Sequence, residues 1–284
     1  MEKYICIHGH FYQPPRENPW LEDVELQDSA YPYHDWNARI AEECYRQNAA
    51  SRVLSSEQKV VDIVNNYERM SFNFGPTLLS WLDSHQPDIY EKILAADRTS
   101  RERFSGHGSA LAQAYNHMIM PLANPRDKET QVLWGIRDFQ KRFGRDPEGM
   151  WLPEAAVDLP TLEVLVDHGI EFTILAPRQA RRIRRLEARR WRNVNEGQFD
   201  TSVRIAVTCR PVVTLSCSFT MPRPRRTSPT AVCFTAVRIW PPVCSSPFPA
   251  TMARPTWCTR PPTASPSVTT TAMETWPWPI VCDT

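Results

Sequence analysis

The chain has no apolar run approaching the length of a membrane span. Its first residues, MEKYICIHGH, lack the basic start, apolar stretch and small-residue cleavage site of a secretory signal. A cytoplasmic location and no membrane partner are therefore expected. An excess of charge of one sign is also missing. There are 33 Lys and Arg against 32 Asp and Glu, a formal net charge of +1. That balance argues against nucleic acid as a partner. No glycine-rich phosphate loop follows any strand-like run, so nucleotide binding is unsupported and no cofactor is expected.

A second set of absences is local. From Arg204 to Thr284 there is no Gly, Lys, Asn, Gln, His or Tyr, only one Leu (Leu215), and only two acids, Glu274 and Asp283. The same stretch holds fourteen of the 26 prolines and six of the eight cysteines. A disordered linker is ordinarily rich in Glu, Lys and Gly and poor in Trp. This one carries Trp240, Trp257, Trp276 and Trp278. A disulfide-stapled domain would still need Gly and Asn for its turns. Translation in a shifted frame accounts for the pattern. If each intended codon joins the last base of one codon to the first two of the next, METWPWP necessarily contains Gly at Met273–Glu274. It also contains Ala at Trp276–Pro277 and at Trp278–Pro279. Residues 204–284 are thus expected to be an out-of-frame tail without a native fold, irregular or disordered.

The first 203 residues have ordinary globular patterning. Short apolar runs at residues 4–7, in MSFNF, at 150–152 and in EFTIL suggest strands. Between them lie helical patterns at 37–67, from Thr77, from Asp88, at 127–143 ended by Gly144, and at 159–168 ended by Gly169. Residues 109–120 fit either a helix or an irregular loop. Alternating strands and helices imply parallel strands with crossovers, an α/β layout. The polar residues of interest fall just after strand C-termini, the face on which α/β barrels build active sites. The basic run at 178–192 reads as a solvated face rather than an anion site.

Glu154, in GMWLPEAAVD, is either a surface acid near a helix start or a nucleophile or proton-transfer acid beside Trp151 and Pro153. His8 and His10 are two apart, so an extended backbone turns both to one side. They suit a metal pair, or hydrogen bonding to a polyhydroxylated ligand. His107 and His117 flank GSALAQAYN and are equally well read as loop histidines. Aromatics crowd these loops, Phe11, Tyr12, Trp20, Tyr31, Tyr33, Trp36 and Tyr115 among them. Flat faces with polar tips suit sugar stacking as well as plain packing.

Three stretches, HGHFYQPP, GHGSALAQAYNHMIMPL and GMWLPEAAVD, resemble the first three motifs, in order, of glycoside hydrolase family 57. The resemblance covers about residues 1–203, and its WLPE is similar to the branching-enzyme form. It implies an incomplete (β/α)7-type barrel, truncated here, as a partial catalytic domain. It further implies retaining hydrolysis or transglycosylation of α-glucans. Glu154 would be the nucleophile, and His8, His10, Gln13, His117 and Trp151 would bind substrate, with no metal. The first motif departs from the usual H-x-H-Q-P by Phe11 and Tyr12, inserted before Gln13. The fourth motif, which carries the general acid, is absent. The shifted frame permits D-G-E-S-F-G-H-H-H across residues 263–271, so the chain is expected to be inactive as translated. Two other readings are a metal-dependent polysaccharide deacetylase, with His-x-His plus His107 or His117 on zinc, and a non-catalytic sugar-binding remnant.

Overall fold

The computed structural model describes residues 6–185, 188–194, 205–210, 213–219, 233–237 and 280–283. Strand β1 (Cys6–Phe11) is followed by the short pair β2 (Glu17–Asn18) and β3 (Asp23–Val24). Helix α1 (Trp36–Ile40) runs through a π turn (Ala41–Tyr45) into α2 (Arg46–Ala49). The hairpin β4 (Ser51–Leu54) and β5 (Val60–Val64) comes next, then β6 (Ser71–Phe74), α3 (Pro76–His85) and α4 (Pro87–Arg103). Strand β7 (Ala112–Gln113), α5 (Pro125–Phe143), β8 (Met150–Trp151), α6 (Leu159–Asp167) and β9 (Phe172–Leu175) complete the core.

Five of these strands are parallel neighbours in chain order. β1 pairs with β6, with His10 opposite Asn73. Phe72 of β6 bridges Ala110, just before β7. β7 pairs with β8, Gln113 opposite Trp151, and Gly149 bridges Phe172 of β9. Parallel neighbours need crossovers, and helices α1 to α6 lie in them. All their C-terminal ends therefore open on one face.

Local sequence explains most helix boundaries. α3, α4, α5 and α6 each carry proline in the first turn, where no N–H is needed. Asn124 caps α5 by accepting from the Asp127 N–H, and Gly144 ends it at φ 66°. Helices and strands share a core that includes Phe11, Tyr45, Tyr67, Phe72, Leu82, Ile93 and Met150, each about fully buried. Phe11 meets Tyr67 edge-on and stacks on Phe74.

Two expectations need correction. The helix predicted over 37–67 stops at Ala49, and β4 and β5 follow as an antiparallel hairpin. Val53, Val60, Ile63 and Val64 match a helical spacing, but they are β-branched and take the extended conformation such side chains favour. The first strand, described as Cys6–Phe11, runs on through His8 and His10, so the histidines lie within it rather than beyond its end. Residues 109–120 are irregular apart from β7.

The tail expected to be irregular contains four described strands, β12 (Ile205–Arg210), β13 (Val213–Phe219), β14 (Cys233–Val237) and β15 (Ile280–Asp283). β14 lies antiparallel to β1, and β13 parallel to β9. β15 sits between β12 and the earlier β10 (Arg182–Arg185), which also pairs with β11 (Arg192–Asn193). Everything else expected of 204–284 lies outside the described residues. Among the described residues no helix is long and apolar enough to cross a membrane.

Candidate active site

β1 turns His8 and His10 to the same side, as their spacing predicts. Both rings stack on Trp151 of β8, with centroids 5.1 and 4.8 Å away. Both also reach Asn73 on the adjacent strand. His8 Nε2 lies 3.1 Å from Asn73 Oδ1, and His10 Nδ1 lies 3.0 Å from Asn73 Nδ2. The Asn73 amide donates to Gln113 Oε1 at 2.7 Å, and His8 Nδ1 meets Ser71 Oγ at 2.9 Å. A polar chain thus runs from β1 through β6 to β7, with His8, Asn73 and Gln113 all buried.

Burial dominates the protonation of this cluster. It lowers His8 to a pKa of about 3, against a partial opposing effect of the Asn73 hydrogen bond and with a further lowering from His10. It lowers His10 to about 4, with Asn73 again opposing and His117 adding to the shift. His117 is also lowered by burial, with Glu154 pulling the other way. Near neutral pH the His8 and His10 rings are uncharged. Each then keeps one N–H donor and one lone-pair acceptor.

His117 sits on a turn after β7 at φ 56°, its N–H bonded to the Ala114 carbonyl at 3.1 Å. Gln131 of α5 clamps that turn at both ends of the Asn116 side: its Oε1 accepts from Asn116 N–H at 2.7 Å and its Nε2 donates to Asn116 Oδ1 at 2.8 Å. The clamp brings His117 Nε2 within 3.3 Å of His10 Nε2, so one ring donates to the other. Tyr12 stacks on His117 with centroids 3.7 Å apart. Its hydroxyl is held above the ordinary phenol pKa by burial and by the charge of Glu154.

Glu154 lies in the turn after β8 and is exposed. It and Ala155 are both left-handed, at φ 56° and 53°. The turn closes through Ala155 N–H to the Leu152 carbonyl and Ala156 N–H to the Pro153 carbonyl, both 2.9 Å. Asp158, at the end of the same motif, caps α6 through Thr161 N–H and receives Lys128 Nζ at 2.6 Å. The result is a carboxylate beside neutral imidazoles and aromatic faces. Such a surface offers paired donors and acceptors to a polyhydroxylated ligand.

Comparison with known proteins gives the family. The family described as "Glycosyl hydrolase family 57" matches residues 8–197. The chain belongs to glycosyl hydrolase family 57. Alpha-amylase 1 of Dictyoglomus thermophilum is 27% identical over 107 residues, covering 37% of this chain and 15% of the relative. An alpha-amylase of Pyrococcus abyssi is 20% identical over 117 residues, covering 40% of this chain and 17% of the relative. The matches thus span less than a fifth of either curated relative. Among solved structures, an exo-type maltose-forming amylase of Pyrococcus sp. ST04 matches with a TM-score of 0.49 and 15% identity. That alignment covers 75% of this chain and 34% of the amylase.

In this family 57 chain, one sequence candidate stands apart from the cluster. Gln13 accepts from Arg16 Nη2 at 2.9 Å and lies 3.5 Å from the Tyr45 hydroxyl. Tyr12, one of the two inserted residues, is the one that stacks on the histidines. His107 pairs with Glu148 at 2.9 Å on the surface. Among the described residues no group of three or more His, Cys, Asp or Glu is placed to hold a metal. Ser71, Asn73 and Gln113 were not singled out from sequence. The one signal was Asn73 itself, an amide between two phenylalanines in a strand that is otherwise buried.

Proposed function

We propose that this family 57 chain carries the nucleophile half of a retaining site for α-glucan hydrolysis or transglycosylation. The carrying observation is the left-handed turn that sets Glu154 at the open end of β8, where its charge acts on His117 and Tyr12. Glu154 attacks the anomeric carbon. His8, His10, His117 and Trp151 line the donor-sugar subsite, and Gln13 supports it from the Arg16 side. Five parallel strands in chain order support an incomplete (β/α)7-type barrel as the scaffold.

A retaining mechanism needs a second carboxyl group about 5 Å from the first to protonate the leaving oxygen. The shifted frame would encode that acid across residues 263–271. As translated, the chain keeps the nucleophile and cannot turn over an unactivated glucan. An activated donor separates the two halves. In a 5-fluoro-α-glucosyl fluoride, fluoride leaves with the bonding electrons and needs no proton, while a Glu154 oxygen bonds to C1. Mass spectrometry of the treated chain should find one sugar esterified to Glu154 and none in Glu154→Gln. Restoring the frame should bring glucan turnover, which Glu154→Gln then abolishes. Turnover that survives Glu154→Gln would remove Glu154 from the mechanism.

A further inference from the structure

Two consecutive non-glycine residues in the left-handed region carry a cost of about 1 kcal/mol each. Neighbouring structure must hold such a pair in place. The bonds that close the Glu154 turn from within use only the N–H groups of Ala155 and Ala156. The Ala155 carbonyl is held from elsewhere. Gln179 lies at the end of the turn Pro177–Gln179, which follows the neighbouring strand β9. Its Oε1 accepts from Ala176 N–H at 2.7 Å, which fixes the amide to its own turn. Its Nε2 donates to the Ala155 carbonyl. One planar amide therefore ties the loop after β9 to the loop after β8. The tie falls on the residue next to Glu154.

We propose that Gln179 is a positioning residue for Glu154, holding the turn over residues 152–156 in the conformation that turns the carboxylate toward His117 and Tyr12. This rests on the reading of Glu154 as nucleophile. Without the Gln179 donor, the left-handed pair relaxes toward the ordinary right-handed region. Glu154 then leaves the line of attack while the subsite of His8, His10 and Trp151 stays intact.

The test uses the full chain and the 5-fluoro-α-glucosyl fluoride, with the rate constant of labelling and the half-saturating concentration measured separately. Gln179→Glu keeps the acceptor for Ala176 N–H and loses the donor. Gln179→Met loses both at similar length. Both variants should label Glu154 roughly tenfold to a hundredfold more slowly, with half-saturation little changed, because misplacement costs the chemical step rather than binding. Hydrogen exchange at the amides of residues 154–157 should be faster in both. If Gln179→Glu labels at the unaltered rate, the donor to Ala155 is irrelevant and the proposal falls while Glu154 stands. If the unaltered chain does not label, the nucleophile assignment falls instead. The brace is then judged by exchange alone, and equal exchange in the three proteins overturns it.

Discussion

His8 and Asn73 hold each other through Nε2 and Oδ1 at 3.1 Å, both side chains fully buried. The bond fixes the tautomer. Asn73 Oδ1 can only accept, so His8 carries its proton on Nε2, and Nδ1 accepts from the Ser71 hydroxyl. The other end of the Asn73 amide then donates to Gln113 and meets His10.

Replacing this hub should therefore act on both rings together. Asn73→Leu leaves the His8 Nε2 donor and the Gln113 Oε1 acceptor buried without Asn73, and should cost about 2–3 kcal/mol in urea unfolding. Asn73→Asp keeps the shape and adds a negative charge between the rings. It should raise the pKa of both histidines, that of His10 from about 4 toward neutrality. Titrating the imidazole resonances checks this. A His10 that still titrates near 4 in Asn73→Asp would mean that the two side chains do not interact.

The same low pKa values predict an acid-sensitive fold. His8 and His10 have folded values of about 3 and 4, below the ordinary 6.5. For a base with a depressed folded value, the unfolded state takes up its proton first. Stability is complete above pH 6.5 and is lost as pH falls from there toward 4. Between pH 6.5 and 5 each histidine should remove about 2 kcal/mol. Urea midpoints measured at pH 7.5 and 5 should differ in that direction. His8→Gln, which cannot titrate, should flatten the dependence by about half.

The parts of the fold that were legible in the sequence are those specified within a few residues. Asn124, Gly144 and Asp158 mark helix ends through bonds made within one turn. The hairpin of β4 and β5 is not legible from periodicity, which alone does not separate short extended runs from a helix. Its β-branched content was the better guide. For the site, His8, His10, His117, Trp151 and Glu154 stood out by residue type. Their partners did not. Asn73 lies 65 residues from His8, and Gln113 lies 40 from Asn73, so their contacts exist only once strand register is set. Gln179 was hidden for the same reason, in a turn whose neighbours in sequence suggest only a basic surface.

Asp158 ties the Glu154 motif to α5 as well as starting α6. Burial pushes its carboxyl up, but hydrogen bonds from Lys128 and Thr161 outweigh this and hold it below the ordinary carboxylate value. Lys128 is the buried partner, its side chain 6% exposed against 31% for Asp158. Removing the acid should cost more than removing the pair. Asp158→Asn keeps an acceptor for the Thr161 cap but leaves a buried ammonium unmatched, and should cost about 2–3 kcal/mol. Lys128→Met with Asp158→Asn should recover most of that loss. A double variant no more stable than Asp158→Asn would show that the lysine charge is already compensated elsewhere.

Gly135 gives the sharpest contest between local propensity and packing. It lies inside α5, where alanine would ordinarily gain about 1 kcal/mol over glycine. A Cβ there, however, would stand 2.1 Å from the Gln113 carbonyl oxygen. That atom belongs to the backbone of β7, which cannot turn aside as a side chain can. Gly135→Ala must therefore push α5 off the sheet or bend β7, and should lower stability by about 1–3 kcal/mol. The strain has a direction. Gln113 lies opposite Trp151 and accepts from Asn73, so displacing β7 loosens the base of the histidine cluster. The resonances of His8 and His10 should shift in Gly135→Ala, while that of the surface residue His107, paired with Glu148, should not. Stabilisation by the alanine would mean that α5 does not approach β7 as closely as the packing of Gly135 requires.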